Sequence, residues 1–138
     1  MLQIVSTKQD KLIKGLAKDY LKFAFVKDEE TLDDFYFLMN ENEIIGCCKI
    51  NFNEKSMEND IYPLITSLHI KEECRKRNYA QLLINHAIQK AELLGYTSAY
   101  LKIGNLESYE IQNWTPLELN LAQKMEENIF YKTIDERR

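Results

Sequence analysis

Residues 74–95 read CRKRNYAQLLINHAIQKAELLG, a tight basic segment that runs without a break into an amphipathic helix. Ala80, Leu83, Ile84, Ala87, Ile88, Ala91 and Leu94 recur at spacings of three and four, the buried stripe of a helix packed on a sheet. Gly95 supplies the stop, because glycine accepts the left-handed conformation in which helices commonly end. Upstream, IYPLITSLHI (61–70) is rich in β-branched and apolar residues and predicts a strand; Pro63 belongs near its start or at an edge, since proline cannot donate to the ladder. Downstream, TSAYLKI (97–103) predicts another strand. Strand, basic turn, helix and strand make a crossover unit, which places the chain in the α/β class.

The flanking sequence extends this unit. LQIVS (2–6) opens with a short strand, and Ser6 stands three residues before Gln9 in a capping-box arrangement. Ile13, Leu16, Ala17, Tyr20 and Ala24 then predict a helix over about residues 7–24 with one buried face. FYFLMN (35–40) and IIGCCKINF (44–52), joined by a short polar segment, read as an antiparallel hairpin. NLESYEIQ (105–112) predicts a short helix and NIFYKTI (128–134) a last strand, with TPLELNLAQKMEE (115–127) unassigned. The expectation is a single domain over residues 1–138, a mixed, mostly antiparallel central sheet flanked by helices.

Composition narrows the function. At 138 residues, 45% hydrophobic and 29% charged, the chain has the content of one globular domain. No apolar run reaches the roughly 18 residues of a spanning helix, and MLQIVSTKQDK lacks the apolar core of a signal peptide, so no membrane and a cytoplasmic location are expected. Cys47, Cys48 and Cys74 form neither a CxxC pair nor a zinc spacing, which predicts reduced thiols and no metal. A net charge of −4 and a pI near 5.3 argue against a nucleic-acid partner.

The helix start itself points to an anion. A helix N-terminus presents unpaired amides and the positive end of the macrodipole. Arg75, Lys76 and Arg77 add side-chain charge, and Asn78 tolerates the left-handed backbone that a close turn needs. A phosphate or pyrophosphate fits such a site. Neither GxxxxGK[ST] nor GxGxxG occurs, which disfavours the two common nucleotide-binding loops.

The stretch LITSLHIKEECRKRNYAQLLINHAIQKAELLGYTSAYLKI (64–103) resembles the central motif of the GNAT superfamily of acyl-CoA-dependent N-acyltransferases. Its [QR]-x-x-G-x-[GA] pattern falls on Arg75, Lys76, Arg77, Asn78, Tyr79 and Ala80, after Ile70 as the strand-end residue. YEIQNW (109–114) is similar to the family's late Y-E-K-x-G-F/W segment, and EIIGCCKI (43–50) to its hairpin strand. Asn78 and Asn113 stand where the family has glycine.

The resemblance implies an acetyl-CoA-dependent N-acetyltransferase acting on a small-molecule or peptide amine. The backbone amides of residues 75–80 would hold the coenzyme A pyrophosphate, and the backbone of Leu68, His69 and Ile70 would pair with the pantetheine arm and polarise the thioester carbonyl. Tyr109 would be the general acid toward the departing thiolate, a phenol being protonated at neutral pH. PLITSLH (63–69) carries no carboxylate, and His69 is its one titratable residue, expected to contribute chiefly through its backbone. Cys74 lies beside the expected pyrophosphate and is no candidate nucleophile. The acidic run Asp28, Glu29, Glu30, Asp33 and Asp34 borders the acceptor side in the resembled fold. The altered glycines keep a second reading open: a catalytically weak or inactive GNAT-fold module that binds coenzyme A or a protein partner. A homodimer that covers a sheet edge is compatible with either.

Overall fold

The computed structural model describes residues 1–25, 32–52, 63–103, 113–116 and 128–134. Along the chain run β1 (Leu2–Val5), α1 (Lys14–Phe25), β2 (Phe35–Asn40), β3 (Glu43–Asn51), β4 (Leu64–Ile70), α2 (Tyr79–Leu93), β5 (Ser98–Ile103), β6 (Thr115–Pro116) and β7 (Asn128–Thr133). The strands make one seven-stranded sheet in the order β1-β2-β3-β4-β5-β7-β6. Every junction is antiparallel except β4–β5, which is parallel and bridged by α2. The mixed, mostly antiparallel sheet expected from the sequence is therefore present.

Strand side chains alternate between two faces, and each face meets one helix. Phe35, Phe37, Met39, Ile44 and Cys47 pack with Ile13, Ala17, Tyr20 and Leu21 of the α1 side. Leu38, Ile45, Cys48, Ile65, Ile70 and Leu101 pack with Ala80, Leu83, Ile84 and Ala87 of α2. Leu83 and Ile84 are fully buried, and each side chain of this size contributes about 1.5–3 kcal/mol by leaving water. Pro63 lies just before β4, and its carbonyl accepts from Tyr100 N–H at 2.9 Å, the one role in the ladder left to a proline.

Two helix boundaries differ from expectation. The Ser6–Gln9 capping box forms reciprocally, with Ser6 N–H donating to Gln9 Oε1 and Gln9 N–H to Ser6 Oγ, both at 3.3 Å. It closes a turn, however, and not the α-helix. Asp10 then caps a 3-10 turn at Lys11–Ile13 through Leu12 N–H at 3.0 Å, and α1 begins only at Lys14. Leu16, expected in the buried stripe, is 46% exposed because it stands at the stripe's edge, while Leu21 is 2% exposed. At the other boundary α2 closes in a Schellman arrangement, Tyr96 N–H to Ala91 O and Gly95 N–H to Glu92 O, both 3.0 Å. Gly95 takes φ 93° there, and Leu94 turns out of the stripe into solvent.

Candidate active site

The pairing of β4 with β5 covers Leu64↔Tyr100 and Ile65↔Leu101 and then ends, although β4 continues to Ile70 and β5 to Ile103. Beyond that point β5 stays with β7 (Lys102↔Ile129) and β4 stays with β3 (Cys47↔His69, Gly46↔Ile70). The two strands at the centre of the sheet thus diverge into a wedge. From Thr66 onward the edge of β4 that faces β5 has no strand partner among the described residues. An extended arm bearing amide groups can take up those vacated ladder bonds, as a peptide does on an open strand edge.

A bulge accompanies the divergence. The register passes from Cys47↔His69 to Lys49↔Thr66, so β4 spends an extra residue there, and Ser67 sits at φ 53°. Such an insertion bends the strand and re-aims its amides. Cys47 Sγ–H reaches the Ser67 carbonyl at 3.6 Å and helps hold the distortion. Gly46 is required next to it: a Cβ at that position would lie 2.6 Å from Ile70 Cδ1 and 3.1 Å from the His69 carbonyl.

At the open end of the wedge, β4 leads through a 3-10 turn at Glu72–Cys74 into the basic loop. Arg75 Nε donates to the Ile70 carbonyl at 2.9 Å and ties the loop to the strand end. Lys76 and Asn78 both adopt left-handed backbone, at φ 65° and 62°. The expectation for Asn78 is met, and Lys76 adds a second turn of the same hand that no residue preference announces. The first helical bond runs from Leu82 N–H to Asn78 O at 3.3 Å, so the amides of Tyr79, Ala80 and Gln81 head α2 with no carbonyl of the helix behind them. A shallow depression over this start is lined by Ile70, Cys74, Arg75, Lys76, Asn78, Tyr79 and Ala80. Leu68, Ile70 and Ala80 are buried and have only backbone to offer; Lys76, Arg77 and Asn78 are exposed. Asn113 is likewise at φ 71°, so both asparagines that stand where the resembled motifs have glycine keep a left-handed backbone.

His69 is the titratable group at the strand end. Its Nδ1 lies 2.6 Å from Tyr20 Oη, and the ring stands edge-on to Phe23 and Phe25 at 6.0 and 5.9 Å. Burial, with the Arg75 charge second, holds its pKa below the usual imidazole value, so it is neutral at neutral pH. Nδ1 can accept from the phenol or donate to it; only when it donates is Nε2 a proton acceptor. Tyr20 was not among the expected site residues, since a contact 49 residues apart leaves no local signal.

Tyr109, the expected general acid, lies outside the described residues, as do Asp28, Glu29 and Glu30. Asp33 accepts a hydrogen bond from Thr7 Oγ1 and so has a structural use. Cys47 and Cys48 are buried, which raises both thiols, Cys48 to about 12, and keeps them unreactive. Among the described residues no cluster of His, Cys, Asp and Glu could hold a metal ion, and no helix is long and apolar enough to cross a membrane.

Residues 7–111 match the family model described as Acetyltransferase (GNAT) family. No curated protein sequence matches the chain. Among solved structures, aminoglycoside 6'-acetyltransferase type Ii superposes with a TM-score of 0.68 at 15% identity, covering 100% of this chain and 99% of that one. Polyamine N-acetyltransferase of Drosophila melanogaster gives 0.68 at 8% identity, with 96% and 100% covered. N-acetylglutamate synthase of Neisseria gonorrhoeae, solved with coenzyme A and N-acetyl-glutamate, gives 0.66 at 13% identity; 99% of this chain is covered, but the chain spans only 36% of the synthase. At these identities the likeness is one of fold.

Proposed function

The chain belongs to the GNAT acetyltransferase family, and from that premise we propose that it moves an acetyl group from acetyl-CoA to a primary amine, by direct attack in a ternary complex. The observation that carries this reading is the wedge between β4 and β5, whose open end meets the basic start of α2. The residues present suit the coenzyme. The amides of residues 75–80, with the charges of Lys76 and Arg77, form a place for a pyrophosphate. Along Leu68, His69 and Ile70 the strand edge turned away from β3 offers backbone groups to the amide-bearing pantetheine arm, while the backbone of His69 faces β3. Bound there, acetyl-CoA supplies an activated acyl group.

The protein's own residues then orient and stabilise. An amide of the bulged strand, fixed by the β3 ladder, donates to oxygen where negative charge develops, and pre-organised donors of this kind typically contribute about 3–4 kcal/mol. Arg75 holds the loop against the strand end, so that phosphate site and strand edge keep one spacing. Tyr109 protonates the departing sulfur from its hydroxyl. Neutral His69, positioned by Tyr20, is available to take up the amine proton.

Steady-state rates of thiol release across a panel of primary amines, at several acetyl-CoA concentrations, test the proposal. Intersecting reciprocal plots are expected, with kcat reduced in Tyr109→Phe. Parallel plots would point to a covalent enzyme intermediate and sink the ternary mechanism. Coenzyme binding without turnover of any amine would favour the binding-module reading.

A further inference from the structure

On the α1 side of the sheet a cleft of about 480 Å³ lies between α1, the turn that joins β2 to β3, and the segment following β4. Resting on the acetyltransferase reading, we infer that this cleft receives the acceptor and that the acceptor is a primary amine with a second group, an ammonium or guanidinium that stays charged through the transfer, at the far end of an apolar spacer.

The walls carry the argument. Leu16 and Phe23 line the cleft and are 46% and 64% exposed, large apolar side chains left to water beside a helix face that is otherwise well packed. They suit a methylene chain or ring. Three carboxylates share the cleft with one ammonium. Lys71 Nζ is 2.6 Å from Glu43 Oε2 and balances it. Asp19 and Glu73 have no ion pair among the described residues, so of the described charged side chains that line the cleft, two acids are left beyond the Lys71–Glu43 pair. Tyr20 links this space to the end of β4, because it lines the cleft and its hydroxyl meets His69 Nδ1 at 2.6 Å.

Which charge the acids hold follows from the chemistry. In the transfer the nitrogen bonds the acetyl carbon and loses one proton, while the C–S bond breaks and sulfur leaves as the coenzyme thiol. The attacking amine must be neutral, and the product amide carries no charge. Carboxylates that served only the reacting nitrogen would lose their partner at the moment of attack. A second ammonium or guanidinium keeps its charge throughout, and its attraction to Asp19 and Glu73 positions the other end. A carboxylate-bearing acceptor is repelled by the same pair.

Hexamethylenediamine, hexylamine and ε-aminocaproic acid share a spacer and differ in the remote group. They are compared as acceptors, and for direct binding by calorimetry without coenzyme, on the wild type and on Asp19→Asn/Glu73→Gln, whose exposed positions leave folding intact. The expected kcat/KM order is diamine, monoamine, amino acid. The double variant should raise the diamine KM about tenfold, the combined effect of two partly screened charge pairs, with a smaller change for hexylamine. A diamine KM or dissociation constant that is unchanged in the variant overturns the inference, as does equal use of ε-aminocaproic acid. If acetyl-CoA raises the melting temperature but no amine of the series reacts or binds, the acceptor assignment falls and the coenzyme reading stands. If acetyl-CoA does not bind while the diamine does, in an Asp19- and Glu73-dependent way, the cleft's cation preference stands and the acetyltransferase reading falls.

Discussion

Gly46→Ala should damage both the core and the strand end that faces the wedge. The added Cβ would sit 2.6 Å from Ile70 Cδ1, where carbon–carbon contacts settle at about 3.5–4.0 Å, so the methyl must retreat by about 1 Å. Ile70 is 1% exposed and belongs to the cluster that includes Leu83, so its displacement presses on a closed core. Overpacking of this kind costs about 1–3 kcal/mol, and the stiffer unfolded chain returns about 0.4–1 kcal/mol. The net expectation is a loss of about 1–2 kcal/mol, or about 3–8 °C in Tm for a domain of this length. Ile70→Val removes the offending methyl at its own cost of about 0.5–1.5 kcal/mol. In that background the alanine has room beside the side chain, and only the 3.1 Å approach to the His69 carbonyl remains. Urea unfolding of the four proteins of this cycle should therefore show a coupling of about 1 kcal/mol, the double mutant being more stable than additivity allows. Additivity within about 0.3 kcal/mol would refute the close approach of β3 and β4 at this point.

Lys76→Gly should stabilise the fold by about 0.5–1 kcal/mol, since a left-handed backbone costs a residue with a Cβ roughly 1–2 kcal/mol and glycine's unfolded-state entropy gives back part; a lower urea midpoint would contradict the loop geometry. Stability should decline as pH falls. His69 and His86 are both held below their ordinary pKa, chiefly by burial, so the unfolded chain binds protons that the folded chain does not. Their contribution is complete above about pH 6.5 and is lost as pH drops toward the folded values, so urea midpoints should fall between about pH 7.5 and about pH 5.5. Midpoints that rise over that interval would reverse the sign. Tyr20→Phe leaves His69 Nδ1 half-buried without its partner and should cost about 1 kcal/mol while raising the acceptor KM; an unchanged midpoint would show the 2.6 Å bond to be idle.

The elements that could be read from the sequence are those specified locally. α2 carries an apolar stripe from Ala80 to Ala91 and a glycine stop, and the hairpin alternates Phe35, Phe37 and Met39 against Leu38 with a polar turn behind. Asn78 and Asn113 at glycine positions were legible too, because asparagine is the residue that next best accepts positive φ. Contacts between distant segments were not. The bulge at Ser67 and the early end of β4–β5 pairing depend on how three strands share hydrogen bonds, and LITSLHI reads as an unbroken strand. The Ser6–Gln9 motif forms its reciprocal bonds but closes only a turn, because Asp10 supplies a separate cap a few residues on and the helix starts at Lys14. The acceptor cleft draws on a helix, a hairpin turn and a loop, and none of the three signals the others.

A thermal-shift titration with acetyl-CoA and with coenzyme A, on the wild type and Arg75→Ala, tests the central claim most directly. A ligand that binds only the folded state at a hundredfold excess over its Kd stabilises by about 2.7 kcal/mol. Tm should rise with the concentration of either ligand. It should rise less in Arg75→Ala, where the bond from the loop to the Ile70 carbonyl is gone. No shift in the wild type at millimolar coenzyme would contradict the account, and with it the assignment of the wedge and the α2 start as one coenzyme site.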